Sequence, residues 1–372
     1  ALNLRMGLPA GQVAPFKVAE RINPKRAFLF VSTVLGRHIP VRPTDHFAAV
    51  DALVEKCDPE GIAGPVLVMG YAETAVGLGA AVARGISRRA PDADLIYLST
   101  TRHPVPGREW VGFSEGHSHA TDHHVLHPGP HKALTEEGVT LILVDDETTT
   151  GSTFAGLTAA LIKGGVRPGR VLLVTLTDWS DGAADQALRD LVPNAQVRSV
   201  SLTKGGWSWT PDPSAPLPEI PGGGPSPYPV WVPSGSGAPR DGVCSWTYDH
   251  LDRVAGRLSA NLSAPFLIIG TGEHVWEPML LGEALERAGA EVGVVATTRS
   301  PILPGEVIRH RVTFPDHFGI GVPMYLHNVP PRPDARVVVV TETAADRICP
   351  ALRSHLGSGV ILDRTGQIKE FS

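Results

Sequence analysis

The stretch LILVDDETTTGST, from Leu141 to Thr153, decides the fold of this chain. Its first four residues form a short apolar run, which is typical of a buried strand in a parallel sheet. Such a strand delivers the residues after it to the carboxyl edge of the sheet, where open α/β folds bind their ligands. Three acids follow the run, and six small residues then lead to a helical pattern that begins at Phe154: Thr148, Thr149, Thr150, Gly151, Ser152 and Thr153.

The six small residues predict a phosphate site. Backbone amides at the start of a helix lack partners and point outward, so they form a seat for a dianionic phosphate. Asp145 and Asp146 lie just ahead of that seat. Because carboxylates repel phosphate, we expect them to face hydroxyls or a metal ion on the same ligand. No GxxxxGK[ST] motif follows the strand, which disfavours a nucleotide triphosphatase loop. A plain helix cap is the alternative, although a cap needs one hydroxyl and not five.

The thirteen residues resemble the signature of type I phosphoribosyltransferases, which consists of four hydrophobic residues, two acids and a Thr/Gly/Ser phosphate loop. The resemblance implies an α/β fold with a parallel sheet and helices on both faces. It implies that residues 148–153 bind the 5-phosphate of phosphoribosyl pyrophosphate (PRPP), and that Asp145 and Asp146 hold the ribose hydroxyls as catalytic residues. It also implies a Mg²⁺ ion that bridges ribose hydroxyls and pyrophosphate, with Asp145 and Asp146 as its protein ligands.

A second anion site is predicted after the strand PVLVMG, from Pro65 to Gly70. The strand ends in a turn of small residues before a helix, which is again the layout of a ligand site at a strand's carboxyl end. In the resembled family this turn is the pyrophosphate loop, so Ala72, Glu73 and Thr74 are its predicted residues. The alternative is a tight turn with Glu73 in the first turn of the helix, where its charge favours the helix dipole.

The segment FLFVSTVLGRHIPV, from Phe28 to Val41, predicts an apolar strand and then a turn that carries Arg37 and His38. In the resembled family the segment before the core helps to build a hood over the acceptor base. The two side chains are therefore candidates for contact with the acceptor or with pyrophosphate, but we favour a solvated turn.

The segment from residue 99 to residue 132 is a long loop with little periodicity, and such loops are usually lids or disordered. Seven of the fifteen histidines lie within it: His103, His117, His119, His123, His124, His127 and His131. The favoured interpretation is a mobile catalytic lid that brings Arg102, Arg108 and either His117 or His119 onto the leaving pyrophosphate. A transition-metal site formed by Glu115, His117, His119 and His123 is an alternative. The third interpretation is that these histidines are ordinary polar residues of a loop.

Three motifs narrow the resemblance to one group within this family. GYAETA, STTRHPVPG and FSEGHSHATDH together resemble the orotate-phosphoribosyltransferase-like enzymes of bacterial tellurium-resistance (Ter) stress operons. The resemblance therefore implies a role in a stress or tellurium-resistance pathway.

The second half of the chain repeats the first. LIIGTGEH matches LVMGYAET, which places Glu273 at the position of Glu73, and TTRSPILPG matches TTRHPVPG. VVVVTETAADR occupies the position in the second half that LILVDDETTTG has in the first. Thr341 and Glu342 replace the two aspartates, and no phosphate loop follows. The pattern predicts a smaller α/β domain that is a degenerate copy of the first; two unrelated α/β units are the alternative. The tetrad TRSP in the second half, residues 298–301, resembles the motif of the TRSP domain, which accompanies the Ter phosphoribosyltransferases.

Four segments are predicted. An N-terminal arm occupies residues 1–24, and a phosphoribosyltransferase domain occupies residues 25–209. Residues 210–244 are dense in Pro, Gly and Ser, which is typical of a linker. A TRSP-like domain occupies residues 245–372.

The composition limits the partners. A net charge of −5 gives no long-range attraction to nucleic acid or to an anionic membrane. The three cysteines show no CxxC spacing, and no apolar run has the length of a membrane span. We therefore expect a cytoplasmic protein whose partners are small molecules, and we consider a homodimer as its assembly.

The expected function is Mg²⁺-dependent transfer of a phosphoribosyl group from PRPP to an unidentified nucleobase-like nitrogen acceptor, with release of pyrophosphate. Two alternatives stay open. A non-catalytic PRPP-sensing protein needs the same phosphate seat. A metal-dependent hydrolase would use the His-rich loop instead.

Overall fold

The computed structural model describes residues 2–8, 13–23, 26–114, 122–212, 226–233, 238–260 and 264–372. The helices and strands of the first half are β1 (Leu2–Gly7), β2 (Phe16–Glu20), β3 (Phe28–Ser32), α1 (Pro43–Lys56), β4 (Gly64–Gly70), α2 (Ala75–Arg89), β5 (Ala93–Ser99), β6 (Glu109–Ser114), β7 (Asp122–Leu126), β8 (Glu137–Thr148), α3 (Ser152–Lys163), β9 (Arg167–Asp178), α4 (Ala183–Leu191) and β10 (Gln196–Trp209).

The second half begins with a helix. Its elements are α5 (Asp249–Leu258), β11 (Phe266–Gly270), α6 (Trp276–Arg287), β12 (Val292–Ala296), β13 (Arg311–Pro315), β14 (Pro323–His327), β15 (Arg336–Thr341), α7 (Pro350–Leu356), β16 (Gly359–Asp363) and β17 (Ile368–Phe371).

A six-stranded sheet organises the first half, in the order β1-β10-β9-β8-β4-β5. Strands β10, β9, β8, β4 and β5 are parallel, whereas β1 pairs antiparallel with β10 at the edge. The four apolar residues at 141–144 lie at the centre of the sheet with no exposed surface. The predicted parallel sheet with helices on both faces is therefore confirmed.

The second half has a five-stranded sheet in the order β12-β11-β15-β16-β17. When β11 is matched with β4, β12 with β5, β15 with β8 and β16 with β9, the two strand orders are the same. The hairpin of β13 and β14 also falls between the same strands as the hairpin of β6 and β7. At the far edge β17 runs antiparallel to β16, where the first half has the parallel pair of β9 and β10. The second half is thus a smaller copy of the first.

Two segments differ from what the sequence pattern predicted. The N-terminal arm adds β1 to the main sheet and β2 to a separate hairpin with β3. The loop after β5 is not devoid of regular structure, because β6 and β7 form a hairpin within it. Each of these two strands has only five or six residues, and their pairing shifts register between Glu109 and Val111. The prediction of a structureless loop was therefore wrong for residues 109–114 and 122–126.

The two halves pack against each other through helices and an added strand pairing. Helix α6 lies against α1 and α2, and its Trp276 and Leu280 are buried in the main core of the first half. The amide of Val41 donates to the carbonyl of Val294 (2.9 Å), and the amide of Val294 donates back (2.8 Å). This packing brings the carboxyl edges of the two sheets face to face, as the contacts of Glu73 and Glu273 show below. Among the described residues, no helix has the length and apolar character needed to cross a membrane.

Candidate active site

Gly151 forms the turn that leads from β8 into α3. Its φ of +76° lies in the left-handed region, and a Cβ there would come within 2.5 Å of the Cα of Ala184. The amide of Ser152 donates to Oγ1 of Thr150 (3.3 Å). Within the part of the chain that the structure describes, the amides of Thr149, Thr150, Gly151 and Thr153 donate to no protein acceptor. These amides at the start of α3 are therefore available to an anion.

The acid pair lies beside this seat. Strand β8 continues through Asp145 and Asp146 and ends at Thr148, so the turn begins later than the apolar run suggested. Both aspartates are half-buried. The amide of Asp146 donates to Oδ1 of Asp145 (2.9 Å), and the hydroxyl of Thr74 donates to Oδ1 of Asp146 (3.1 Å). The Thr74 bond places the predicted ribose site beside the predicted pyrophosphate loop.

The predicted pyrophosphate loop, residues 72–74, follows β4 and is fixed by Thr100. The amide of Ala72 donates to Oγ1 of Thr100 (2.9 Å), and the amide of Thr100 donates to the carbonyl of Gly70 (2.9 Å). The peptide bond between Ala72 and Glu73 is cis. Helix α2 begins only at Ala75 and has no acid in its first turn. The alternative of a Glu73 that stabilises the helix dipole was therefore wrong.

Glu73 is instead held by two arginines. Arg37 Nη2 and Arg299 Nε both donate to its carboxylate. Burial would raise the pKa of Glu73, but the two guanidinium groups outweigh burial and hold this pKa well below its usual range. Arg37 and His38 are buried, at 3% and 4% exposed, so the predicted solvated turn was wrong. Arg37 contacts the pyrophosphate loop, whereas His38 packs against the ring of His327.

Arg102 lies beside residues 72–74. Its Nη2 is 3.4 Å from the carbonyl of Ala72, and its Nη1 donates to the carbonyl of Asp122 (3.0 Å). Arg108, the other predicted arginine, is instead paired with Asp241 (2.7 Å). The structure thus brings Arg102, and not Arg108, to the loop.

Most of the loop histidines that the structure describes have structural contacts. His123 is buried, lies 2.8 Å from Oγ1 of Thr100 and stacks on the ring of Phe113. His124 pairs with Glu109. The remaining members of the predicted lid and metal site, Glu115, His117 and His119, lie outside the described residues. Among the residues that are described, no three His, Cys, Asp or Glu side chains form a metal-binding group.

An aromatic cluster next to the acid pair was not predicted as a site. The hairpin of β2 and β3 packs onto the ends of β9 and β10 through Phe16, Phe28, Phe30, Trp179, Trp207 and Trp209; we call this the hood cluster. Glu147 faces it, because Arg26 Nη2 donates to one carboxylate oxygen (3.2 Å) and Trp179 Nε1 to the other (3.0 Å). Burial raises the pKa of Glu147, and the negative charge of Asp146 raises it further, although the positive charge of Arg26 opposes both effects. Trp179 stacks on Phe30 with ring centroids 4.5 Å apart, so its contact there is structural.

Two family models match the chain. The model described as phosphoribosyl transferase matches residues 16–206, and that of the TRSP domain, described as C-terminal to the phosphoribosyl transferase domain, matches residues 244–352. No curated protein gave a match.

Phosphoribosyltransferases are among the solved structures to which the chain is similar. Adenine phosphoribosyltransferase from Rhodothermus marinus is 20% identical, with 50% of this chain and 93% of that chain covered and a TM-score of 0.34. Orotate phosphoribosyltransferase from Aeropyrum pernix is 20% identical, with 50% and 87% covered and a TM-score of 0.30. The enzyme from Giardia lamblia complexed with 9-deazaadenine is 16% identical, with 50% and 92% covered and a TM-score of 0.35.

Proposed function

The chain belongs to the phosphoribosyltransferase family, and from this premise we propose that it transfers the phosphoribosyl group of PRPP to a nucleobase-like nitrogen acceptor. The observation that carries the proposal is that the open amides of Thr149, Thr150, Gly151 and Thr153 lie at the same edge of the sheet as the acid pair and residues 72–74. The hydrogen bond from Thr74 to Asp146 joins these parts. Each part has the chemistry that one portion of PRPP requires.

The phosphate loop and the acid pair would bind the ribose 5-phosphate portion. Amides at the start of α3 carry partial positive charge and suit the 5-phosphate. Asp145 and Asp146 would accept hydrogen bonds from the ribose hydroxyls and place negative charge near C1. As the bond from C1 to pyrophosphate breaks, C1 gains positive charge, which nearby carboxylates stabilise. The acceptor nitrogen then forms the new bond to C1 and loses its proton.

The pyrophosphate portion would lie against Ala72, Glu73 and Thr74. Arg102 is the cation beside this loop, and its charge would stabilise the leaving group. We propose that the segment containing His117 and His119 closes over the pyrophosphate and excludes water, which would otherwise hydrolyse PRPP.

The residues present fit a Mg²⁺ ion that arrives with PRPP. Magnesium prefers oxygen ligands and is usually held by one or two carboxylates together with substrate phosphates and water. Asp145 and Asp146 supply such carboxylates at the sheet edge, and both are partly exposed. When bound, the ion would neutralise charge on the pyrophosphate.

We place the acceptor between the acid pair and the hood cluster. A nucleobase-like ring suits an aromatic neighbourhood, and Glu147 with Arg26 provides polar groups at the base of the cluster. The motifs GYAETA, STTRHPVPG and FSEGHSHATDH, followed by a TRSP domain, support our further proposal that the reaction serves a Ter-type stress pathway in the cytoplasm.

Substitution Asp146→Asn tests the proposal. Removal of a charged hydrogen-bond acceptor from the ribose should weaken binding of Mg²⁺ and PRPP by about 10-fold to 100-fold and abolish turnover. Calorimetric titration measures the affinity, and pyrophosphate release with a panel of nucleobases measures turnover. Asp190→Asn, an exposed carboxylate on α4, is the matched control and should behave as the wild type. Wild-type affinity and turnover in Asp146→Asn would contradict the proposal.

The same measurements, together with the metal content of the purified protein, separate the two alternative functions. A PRPP-sensing protein would bind PRPP but release no pyrophosphate with any acceptor. A metal-dependent hydrolase would instead purify with stoichiometric zinc or manganese and show no affinity for PRPP.

A further inference from the structure

The two halves of the chain share more than a strand order, because their ligand-side turns have the same hydrogen bonds. The amide of Thr297 donates to the carbonyl of Gly270 (2.9 Å), as that of Thr100 donates to Gly70. The amide of Gly272 donates to Oγ1 of Thr297 (3.0 Å), as that of Ala72 donates to Thr100. The second half therefore retains the architecture of a pyrophosphate loop although it has lost the phosphate loop.

These two turns exchange contacts across the interface between the halves. Glu73 of the first half accepts from Nε of Arg299 and lies 3.4 Å from the hydroxyl of Thr298. In return, Glu273 of the second half accepts from the hydroxyl of Thr101 and from the amide of Arg102, both at 2.6 Å. Each glutamate thus binds the Thr-Arg pair of the other half. Reciprocal contacts of this kind define an isologous, two-fold interface.

Each glutamate is also supported by an arginine close to it. Arg37 pairs with Glu73, and Nη1 of Arg240 lies 3.9 Å from Glu273 while its other amino group binds Glu342. Three carboxylates in the interface therefore face four arginines, counting Arg102 and Arg299.

This charge balance bears on the proposed reaction. Glu73 lies within the loop that we propose for pyrophosphate, where an uncompensated carboxylate would repel the ligand. Arg37 and Arg299 together compensate that charge. Arg37 comes from the first half, but Arg299 comes only from the second.

Resting on the proposed function, we propose that the second half serves as a built-in partner subunit and that Arg299 is a positioning residue for pyrophosphate binding. Arg299 compensates the charge of Glu73, so that residues 72–74 accept the pyrophosphate of PRPP. Glu273 binds the turn that carries Arg102. The second half thereby completes the pyrophosphate side of the site without binding the 5-phosphate.

Substitution Arg299→Ala tests this role with two ligands. Without Arg299, Glu73 retains only Arg37, so PRPP affinity measured by calorimetry with Mg²⁺ should fall by about 10-fold or more. Affinity for ribose 5-phosphate should stay within about 2-fold, because its contacts lie at Thr149–Thr153 and the acid pair. Arg299→Lys, which keeps the charge, should be intermediate. Arg287→Ala, an exposed arginine on α6, is the control and should match the wild type for both ligands.

A charge-rescue variant distinguishes charge compensation by Arg299 from general structural support. In the double variant Glu73→Gln with Arg299→Ala, the carboxylate that would repel pyrophosphate is removed as well. Its PRPP affinity should recover toward that of the wild type, which a merely structural role of Arg299 would not produce. If Arg299→Ala does not fold, Arg299→Lys and the double variant supply the same comparison.

The outcomes separate the inference from the proposed function. A wild-type protein that binds neither PRPP nor ribose 5-phosphate would contradict the proposed function itself. A wild-type protein that binds both, together with an unchanged PRPP affinity in Arg299→Ala, would overturn the role of Arg299 alone. Equal losses for PRPP and ribose 5-phosphate without rescue in the double variant would also overturn it.

Discussion

Gly151 is the residue on which the proposed phosphate seat depends most directly. It adopts a left-handed conformation, and Ala184 fills the space in which a side chain would lie. The open amides on both sides of it follow from this turn. A larger residue would have to move either the turn or α4.

Gly151→Ala should therefore lower both stability and ligand affinity. The left-handed conformation costs a non-glycine residue about 1–2 kcal/mol, and the contact with Ala184 adds to this cost. Urea unfolding should show a free energy of unfolding lower by at least about 1 kcal/mol, and calorimetry should show weakened binding of ribose 5-phosphate. The control is Gly256→Ala on an open face of α5, where no atom lies near the added Cβ, and it should be neutral or slightly stabilising. An unchanged Gly151→Ala protein would contradict the proposed geometry of the loop.

The sequence predicts the site residues that are close together in the chain, but it misses contacts between residues that are far apart in the chain. Asp145, Asp146 and residues 148–153 are contiguous, so a motif identifies them. Arg299 and Glu73 are 226 positions apart, and Arg26 and Glu147 are 121 apart. No spacing rule connects such pairs, because their contact depends on how the two halves and the hood pack.

At the level of elements, α2 and α6 are equivalent helices that are joined by one ion pair. Arg84 of α2 donates to both carboxylate oxygens of Glu283 on α6, at 2.8 and 2.9 Å. The guanidinium also lies over the rings of Phe47 and Trp276. The side chain of Arg84 is only 6% exposed, so water screens this pair weakly.

Removal of Arg84 should therefore destabilise the contact between the halves. Arg84→Ala leaves Glu283 without its main partner and removes packing from two aromatic rings, so we expect a loss of about 3–5 kcal/mol in the free energy of unfolding. Arg89→Ala on the same helix breaks the exposed pair with Asp51 and should cost less than about 1 kcal/mol. Urea unfolding of both variants gives the comparison. Equal, small losses would show that the pair does not join the halves.

The elements themselves follow from the sequence to different degrees. The central strands β4, β8, β9, β11 and β15 are predictable because burial on both faces requires continuous apolar runs. The short hairpin of β6 and β7 is not predictable, because its pairing shifts register between Glu109 and Val111 and because β6 packs on α3. The identity of β1 as an edge strand also depends on a distant partner, β10.

For the whole molecule, several histidines are buried where the two halves and their cores meet. Burial lowers the pKa of His46 to about 4 and those of His317 and His327 to about 3. Above pH 6.5 these groups are neutral in both the folded and the unfolded chain. Below pH 6.5 only the unfolded chain binds the protons, so acidification favours unfolding.

The free energy of unfolding should therefore fall as the pH is lowered from 7 to 5. Each of the three histidines contributes a loss of about 2 kcal/mol over this interval. The variant His46→Gln should lose about 2 kcal/mol less than the wild type between the two pH values. His250→Gln, which removes an exposed histidine, should follow the wild type. Glu73 does not contribute in this interval, because the stability that its lowered pKa provides is lost only below about pH 4.5. A pH-independent stability would contradict this account of the core.

A crystal structure of the protein with PRPP and Mg²⁺ tests the central claim most directly. We expect the 5-phosphate to accept hydrogen bonds from the amides of residues 149–153, and the ribose hydroxyls to face Asp145 and Asp146. The pyrophosphate should lie against residues 72–74 and Arg102. PRPP bound at another place, or a 5-phosphate without contact to those amides, would contradict the account.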